Sequence, residues 1–192
     1  MLEHIRQVVS SHQPRSLDLQ GLIPAAVLVP FLLKDGEPHL LLHVRTEEVE
    51  THKGQVGFPG GVCEPEDADA RETALREAWE EVGLRPEDVT TWGVLNDRDT
   101  VTGFRITPVV GLVPEPYDYK TNPAEVDRLM MVPWRVFSER QGLRREVVEH
   151  EGRRFEVDFY PYADTVIWGA TARILRDLVE LVEGRGKSLE EV

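Results

Sequence analysis

The chain contains a single cysteine, Cys63, among its 192 residues. A lone cysteine cannot form an internal disulfide, and it cannot build a metal cluster by itself. Both properties suit a reducing compartment. We therefore interpret Cys63 as a small loop residue without a chemical role.

Long hydrophobic runs are also missing. No segment approaches the roughly 18 to 20 consecutive apolar residues of a membrane span, and residues 1–6 lack the apolar core of a signal peptide. We expect a soluble, cytoplasmic protein without a membrane partner. With 192 residues, 41% of them hydrophobic, the chain can build one sizeable core but is short for two. The expectation is one domain over residues 1–192, with 1–20 and 184–192 at its periphery.

Positive charge is scarce. The sequence has 22 Lys and Arg against 35 Asp and Glu, a formal net charge of −13. This balance argues against a general nucleic-acid-binding surface. It also predicts repulsion of polyphosphates unless charge is rearranged locally, so an anionic substrate would need metal ions.

The pattern of apolar residues and turn formers predicts strands and helices that mix within one α/β domain. Segments 23–29 and 39–45 are typical of a hairpin joined by a turn at 34–38. The other predicted elements are strands at 90–95, 104–113 and 130–132, a hairpin of 144–150 with 153–160, a brief helix from 133, and a last helix over about 171–183.

The clearest predicted helix spans about 68–83, with Asp67 or Asp69 as N-cap and Gly83 at its end. At 100° per residue, an apolar arc and an acidic arc lie on separate sides. The apolar arc comprises Ala74, Leu75, Ala78, Trp79 and Val82, and the acidic arc comprises Glu77, Glu80 and Glu81. Taken alone, three acids are typical of a solvated helix face. Here a Gly-Gly pair at 60–61 precedes the helix closely, so backbone groups can meet the carboxylates, and such hard oxygen ligands suit Mg²⁺ or Mn²⁺.

Residues 76–84, Arg-Glu-Ala-Trp-Glu-Glu-Val-Gly-Leu, match the core of the Nudix box, R-E-U-x-E-E-x-G-U, and Gly61 matches its opening glycine. The box, residues 61–84, departs from the usual spacing by one extra residue before Arg76. Ala68 therefore stands where the first glutamate is expected, and Asp67 lies at the right distance from Gly61 to substitute. The chain thus resembles the Nudix hydrolase superfamily, which implies a mixed β-sheet sandwiched between helices (α/β/α).

The sequence around the box resembles the coenzyme A diphosphatase branch of that superfamily. Residues 54–61, Gly-Gln-Val-Gly-Phe-Pro-Gly-Gly, resemble its upstream signature, and residues 73–77, Thr-Ala-Leu-Arg-Glu, resemble its helix. The strand at 41–46 departs from the branch pattern at His43 and Thr46. With further matches downstream, the resemblance covers roughly residues 22–176.

The resemblance implies a metal-dependent hydrolase of diphosphate linkages. Glu77, Glu80 and Glu81, together with the backbone carbonyl of Gly61, would bind Mg²⁺ or Mn²⁺. The candidates for the general base are Glu80, Glu81 and Glu125, although a loop glutamate such as Glu125 is at least as often structural.

Other side chains receive supporting roles. Arg45, His52 and Lys53 are candidates for phosphate contacts, although polar loop residues are usually only solvated. We expect Arg76 to point away from the acidic arc and to pin the loop by pairing with Glu64, Asp67 or Glu72. Trp168 is expected to lie in the core rather than to stack on adenine.

Three functions remain open from the sequence. The first is hydrolysis of the diphosphate of coenzyme A and its derivatives to 3′,5′-ADP and 4′-phosphopantetheine. The second is a Nudix pyrophosphatase acting on ADP-ribose, NADH or another nucleoside diphosphate derivative. The third is a non-catalytic ligand-sensing module, which the retention of three metal carboxylates disfavours. The sequence leaves the oligomeric state open, a homodimer included.

Overall fold

The computed structural model describes residues 1–18, 21–46, 54–150 and 153–185. The helices are α1 (Leu2–Ser11), α2 (Ala70–Val82), α3 (Trp134–Ser138) and α4 (Gly169–Val182), with a 3-10 turn at Pro86–Asp88. The strands are β1 (Ile23–Lys34), β2 (Glu37–Arg45), β3 (Val56–Gly57), β4 (Gly60–Val62), β5 (Thr90–Val94), β6 (Arg98–Asp99), β7 (Phe104–Leu112), β8 (Val126–Pro133), β9 (Arg144–His150), β10 (Arg153–Tyr162) and β11 (Thr165–Ile167).

The central sheet is mixed. Its strands follow the order β3-β2-β1-β7-β5, while β4 pairs with β1, β6 with β7 and β8 with β2. Strands β1 and β7 are parallel, and the other pairings are antiparallel. The β1–β2 hairpin turns at Asp35 and Gly36, both of which have positive φ. A second sheet has the order β11-β10-β9.

Helices cover both faces of the central sheet. Successive side chains of a strand point to opposite faces, and in β2 Leu40 and Leu42 enter one buried cluster while Leu41 enters the other. The larger cluster includes Ile5 of α1, residues of α3 and Leu175 of α4, and the smaller cluster includes residues of α2. The expected mixed sheet between helices is therefore confirmed.

Helix α2 begins and ends where its sequence predicts. The Asp69 side chain accepts a hydrogen bond from the Glu72 amide at 3.0 Å, which is an N-cap. Gly83 ends the helix in the left-handed conformation, with φ of 70°. Gly83 suits this position because a side chain there would be strained and would meet the backbone of Lys120.

Three expectations about burial are wrong. Residues 1–20 were expected at the periphery, but α1 buries Ile5 and Val9 in the larger cluster because its apolar side faces the sheet and α4. Trp79, assigned to the packing arc of α2, is 49% exposed, since the two buried clusters include Ala74, Ala78 and Val82 of this helix but not Trp79. Trp168, expected in the core, is 42% exposed and stacks on Phe159.

Within the described ranges, no helix is long and apolar enough to cross a membrane.

His43 is a buried polar residue in the middle of this framework. It lies on β2 opposite Gly57, and neither ring nitrogen has a hydrogen-bond partner among the described residues. Burial, and secondarily the charge of Arg45, lowers the pKa of His43 to about 4. The imidazole is therefore neutral in the folded protein at neutral pH.

We expect His43 to make the protein less stable as pH falls from 6.5 towards 4. In the unfolded chain the imidazole takes up a proton below its ordinary value of 6.5, whereas the folded protein resists protonation until about 4. Because the unfolded state then binds more protons at this histidine, His43 contributes a fall in the free energy of unfolding of up to about 1.4 kcal/mol per pH unit in this window. Urea unfolding of the wild type and of a His43 variant at a series of pH values isolates this contribution as the difference between their slopes.

His43→Gln should lose this contribution, so its free energy of unfolding should fall less, or even rise, as pH decreases from 6.5 to 4, whatever its stability at pH 7. His39→Gln, on the same strand, is the control because it retains His43. Equal slopes for the wild type and His43→Gln would contradict the assignment.

Candidate active site

Strand β4 brings the backbone of Gly60 and Gly61 against α2. The Leu28 amide donates to the Pro59 carbonyl at 2.8 Å, and β4 pairs with β1, so the segment is fixed to the sheet. A Cβ on Gly60 would lie 2.4 Å from the Ala26 carbonyl oxygen, and a Cβ on Gly61 would lie 2.4 Å from the Glu77 carboxylate. Gly60 is therefore required for this close approach, because the atoms it faces are backbone, whereas a side chain at Gly61 would displace the Glu77 carboxylate.

Glu81 lies inside the protein, with 1% of the residue exposed. One carboxylate oxygen accepts from the Gly60 amide at 2.9 Å, and the other accepts from Arg45 Nη1 at 3.4 Å. Burial raises the pKa of Glu81 to about 7, with the Gly60 and Arg45 contacts opposing that rise and the charges of Glu77 and Glu125 adding to it. The helical projection places Glu81 on an acidic arc apart from the packed side, yet the side chain is buried because β4 and the end of β2 cover this side of the helix.

Glu77 and Glu80 lie on the same helix as Glu81, and both accept hydrogen bonds from Arg76. Arg76 Nη1 donates to Glu77 Oε1 at 2.9 Å and to Glu80 Oε2 at 3.3 Å. Burial raises the pKa of Glu77, Arg76 lowers it, and the nearby charges of Glu80 and Glu125 raise it further. Glu80 is half exposed to solvent. The expectation that Arg76 points away from the acidic arc is therefore wrong, since its long side chain curls back over the helix.

Arg76 also pins the loop before α2, as predicted. Its Nε and Nη2 donate to the two carboxylate oxygens of Asp67 at 3.1 and 3.0 Å, and Nη2 reaches the Val62 carbonyl at 3.1 Å. Asp67 accepts further hydrogen bonds from the Glu64 amide and the Thr73 hydroxyl. The Arg76 guanidinium holds the pKa of Asp67 well below its usual range. Asp67, the predicted substitute for the first glutamate of the box, is thus a buried carboxylate that joins the loop to α2 through Arg76.

Glu125 approaches the same carboxylates from the loop before β8. The Asn122 amide donates to the Glu81 carbonyl at 2.8 Å, and Asn122 Nδ2 donates to Glu125 Oε1 at 2.9 Å. The Thr46 amide donates to the Glu125 carbonyl at 3.0 Å. These bonds tie the loop both to α2 and to the end of β2, and they explain why Glu125 influences the pKa of Glu81 and of Glu77.

A cavity of about 620 Å³ opens where β2 ends and β8 begins. Arg45 connects this cavity to the carboxylates of α2, since it lines the cavity and also donates to Glu81. Arg128 of β8 is a second cationic side chain in the cavity wall. Sequence reasoning missed Arg128 because it predicted the strand only at 130–132. His52 and Lys53, the other proposed phosphate contacts, lie outside the described residues.

The acidic side chains provide the hard oxygen donors that Mg²⁺ or Mn²⁺ prefers. Within the described parts of the chain, no three His, Cys, Asp or Glu side chains already form a ready metal-ligand set. The carboxylates of Glu77, Glu80 and Glu81 instead face Arg76, Arg45 and the Gly60 amide. The residues nevertheless fit a cation, because a Cβ at Gly61 would fill the space beside Glu77 and because mutual repulsion among the acids calls for positive charge.

Solved structures of other proteins share this fold. A NUDIX hydrolase from Alicyclobacillus acidocaldarius superposes with a TM-score of 0.52 at 18% identity, covering 82% of this chain and 91% of that one. The MutT protein from Methanosarcina mazei Go1 gives a TM-score of 0.50 at 20% identity, covering 93% and 100%. At these identities the likeness establishes the fold alone.

Sequence comparison establishes the family. A model of the NUDIX domain matches residues 22–163. Proteins named as uncharacterized Nudix hydrolase NudL are 39% identical over 159 residues in Photorhabdus laumondii, covering 83% of this chain and 84% of that protein, and 38% identical over 165 residues in Escherichia coli K12, covering 80% of each. The chain therefore belongs to the Nudix hydrolases, a family that cleaves pyrophosphate linkages in small-molecule substrates and generally uses divalent metal ions.

Proposed function

We propose that the protein hydrolyses the diphosphate linkage of coenzyme A and its derivatives to 3′,5′-ADP and 4′-phosphopantetheine. A diphosphatase is supported chiefly by Glu77 and Glu81, which meet the glycine pair of β4. The charge of Glu125 acts on both carboxylates, and Arg45 joins Glu81 to the cavity. The choice of coenzyme A is supported by the signature at 54–61, which forms β3 and β4 and delivers that glycine pair to the site.

The metal would be held by Glu77, Glu80 and Glu81, with the Gly61 carbonyl as a backbone ligand. Bound Mg²⁺ or Mn²⁺ supplies positive charge to the diphosphate oxygens and lowers the pKa of a water molecule. Arg45 orients the substrate from the cavity side, since it can reach both the anionic ligand and Glu81.

In the reaction, the oxygen of a water molecule bonds to one phosphorus, and the bridging P–O bond breaks. The bridging oxygen leaves with the other phosphate, and the proton lost by the water passes to a carboxylate. Glu80, Glu81 and Glu125 are the candidates for this base. Glu80 has the most direct access to water because it is half exposed, whereas Glu81 is buried and Glu125 is held by Asn122. Positioning and charge neutralisation should provide most of the rate.

The enzymatic alternative is hydrolysis of ADP-ribose, NADH or another nucleoside diphosphate derivative by the same carboxylates. The non-enzymatic alternative is a ligand-sensing module of the same fold. A sensor has no need to bury a carboxylate such as Glu81 beside two further acids, which makes an enzyme the better explanation.

Glu81→Gln should reduce kcat by about 100-fold or more, since it removes a metal ligand from a buried site. The amide oxygen can still accept from Gly60, and no buried charge remains, so the metal-free melting temperature should not fall. Steady-state kinetics at saturating Mg²⁺ and thermal unfolding in EDTA measure both effects. Glu87→Gln, on an exposed acid beyond α2, is the control and should retain wild-type turnover. Retained activity in Glu81→Gln would place the metal site elsewhere.

A product-resolved assay against coenzyme A, dephospho-coenzyme A, ADP-ribose, NADH and a nucleoside triphosphate tests the substrate. We expect coenzyme A or its thioesters to give the highest kcat/KM, and chelation of the metal to stop the reaction. Every candidate shares the diphosphate, so discrimination must come from groups that only some of them possess. A tenfold advantage for ADP-ribose or NADH, about 1.4 kcal/mol in transition-state stabilisation, would reject coenzyme A. If none of these compounds is hydrolysed, the proposal that the protein is an enzyme is rejected.

A further inference from the structure

An ion pair closes one side of the cavity that Arg45 lines. Arg128 Nη2 of β8 donates to Asp164 Oδ1 at 2.8 Å, and Arg128 Nη1 donates to Asp127 Oδ2 at 3.3 Å. Asp164 lies in the turn between β10 and β11, next to Ala163, whose φ is +52°. The pair therefore links the second sheet to the central sheet across the cavity wall.

Arg128 is the cation in this wall that remains available to a ligand. Of the described residues that line the cavity, only Arg45 and Arg128 are cationic, and Arg45 already compensates the buried Glu81. The carboxylates that hold Arg128 are easily displaced, because Asp127 is 56% and Asp164 is 72% exposed in their side chains. Exposed ion pairs of this kind contribute only about 0 to 1 kcal/mol. The side chain of Asp127 or Asp164 can therefore rotate into the solvent when an anion that binds Arg128 more tightly enters the cavity.

A phosphate monoester is such an anion. It carries between one and two negative charges at neutral pH and offers three acceptor oxygens, and a guanidinium binds it through two parallel hydrogen bonds. The hydroxyl of Thr165, which lines the cavity beside Asp164, is a further donor. In the proposed function the diphosphate lies at the metal held by Glu77 and Glu81, so an anionic group of the same substrate at Arg128 is a separate group.

We infer that the cavity between β2, β8 and the β10–β11 turn binds a phosphate monoester of the substrate, and that Arg128 pairs with it after exchanging its contact with Asp164. The inference rests on the proposed function, in which the ribose carries a 3′-phosphate a few bonds away from the scissile diphosphate. Arg128 is then a specificity-determining residue, and Asp164 is its internal competitor.

Substitutions of Arg128 and of Asp164 should have opposite effects on the binding of a phosphate monoester. We propose calorimetric titration of metal-free protein in EDTA with adenosine 3′,5′-bisphosphate and with 5′-AMP, which lacks the 3′-phosphate. Wild-type protein should bind the bisphosphate about tenfold more tightly, the effect of one charge-assisted contact. Arg128→Gln should abolish this preference, whereas Asp164→Asn should increase it.

Arg135→Gln is the matched control, because Arg135 also forms an exposed ion pair, with Glu37, at the far end of β2. It should bind both nucleotides as the wild type does. Thermal unfolding of each variant identifies any loss of folded protein. Equal binding of the two nucleotides by the wild type, no measurable binding of either, or weakened bisphosphate binding in Asp164→Asn would overturn the inference.

Turnover separates this inference from the proposed function. In the presence of Mg²⁺, Arg128→Gln should lower kcat/KM for coenzyme A about tenfold and leave that for dephospho-coenzyme A unchanged. An equal loss for both substrates would overturn the inference while leaving the diphosphatase intact. If neither compound is hydrolysed by the wild type, the proposed function fails, and the nucleotide titration still decides the role of Arg128.

Discussion

The buried Glu81 carboxylate accepts a hydrogen bond from the Gly60 amide, and the rest of the site is arranged around this contact. A carboxylate taken out of water is costly unless protein donors replace the lost hydration. Gly60 and Arg45 are those donors, and each belongs to a different strand. A single residue of α2 thus fixes the positions of β4 and of the end of β2. A side chain at residue 60 would break this arrangement, because its Cβ would lie against the Ala26 carbonyl.

The protein concentrates negative charge at this contact and limits the repulsion with two arginines. Arg45 pairs with Glu81 on the cavity side, and Arg76 bridges Asp67 to Glu77 on the loop side. In a chain with a net charge of −13, these local cations create the places where a polyphosphate can approach. Arg128 in the cavity wall is a further local cation. It pairs with the exposed carboxylates of Asp127 and Asp164, which an anionic ligand can replace.

The helix, its caps and its three acids could be predicted because they are encoded within 20 consecutive residues. The burial of Glu81 could not, since a helical projection shows the angle of a side chain but not which other segment covers it. The prediction for Trp168 was wrong for the same reason. Its apolar neighbours in sequence suggested the core, yet it stacks on Phe159 at the surface. The cavity joins the end of β2 to β8 and to the β10–β11 turn, and even its nearest paired residues from different segments, Arg128 and Asp164, are 36 apart in sequence, so no local pattern could indicate the cavity.

We propose that Glu77 and Glu81 form a divalent metal site with the glycine pair of β4. Anomalous scattering from crystals grown with Mn²⁺, with data collected above and below the manganese absorption edge, locates the metal. We expect an anomalous peak within coordination distance of both carboxylates and of the Gly61 carbonyl, and the loss of this peak in Glu81→Gln. Ordered Mn²⁺ found only at other residues, with none bound at this cluster, would contradict it.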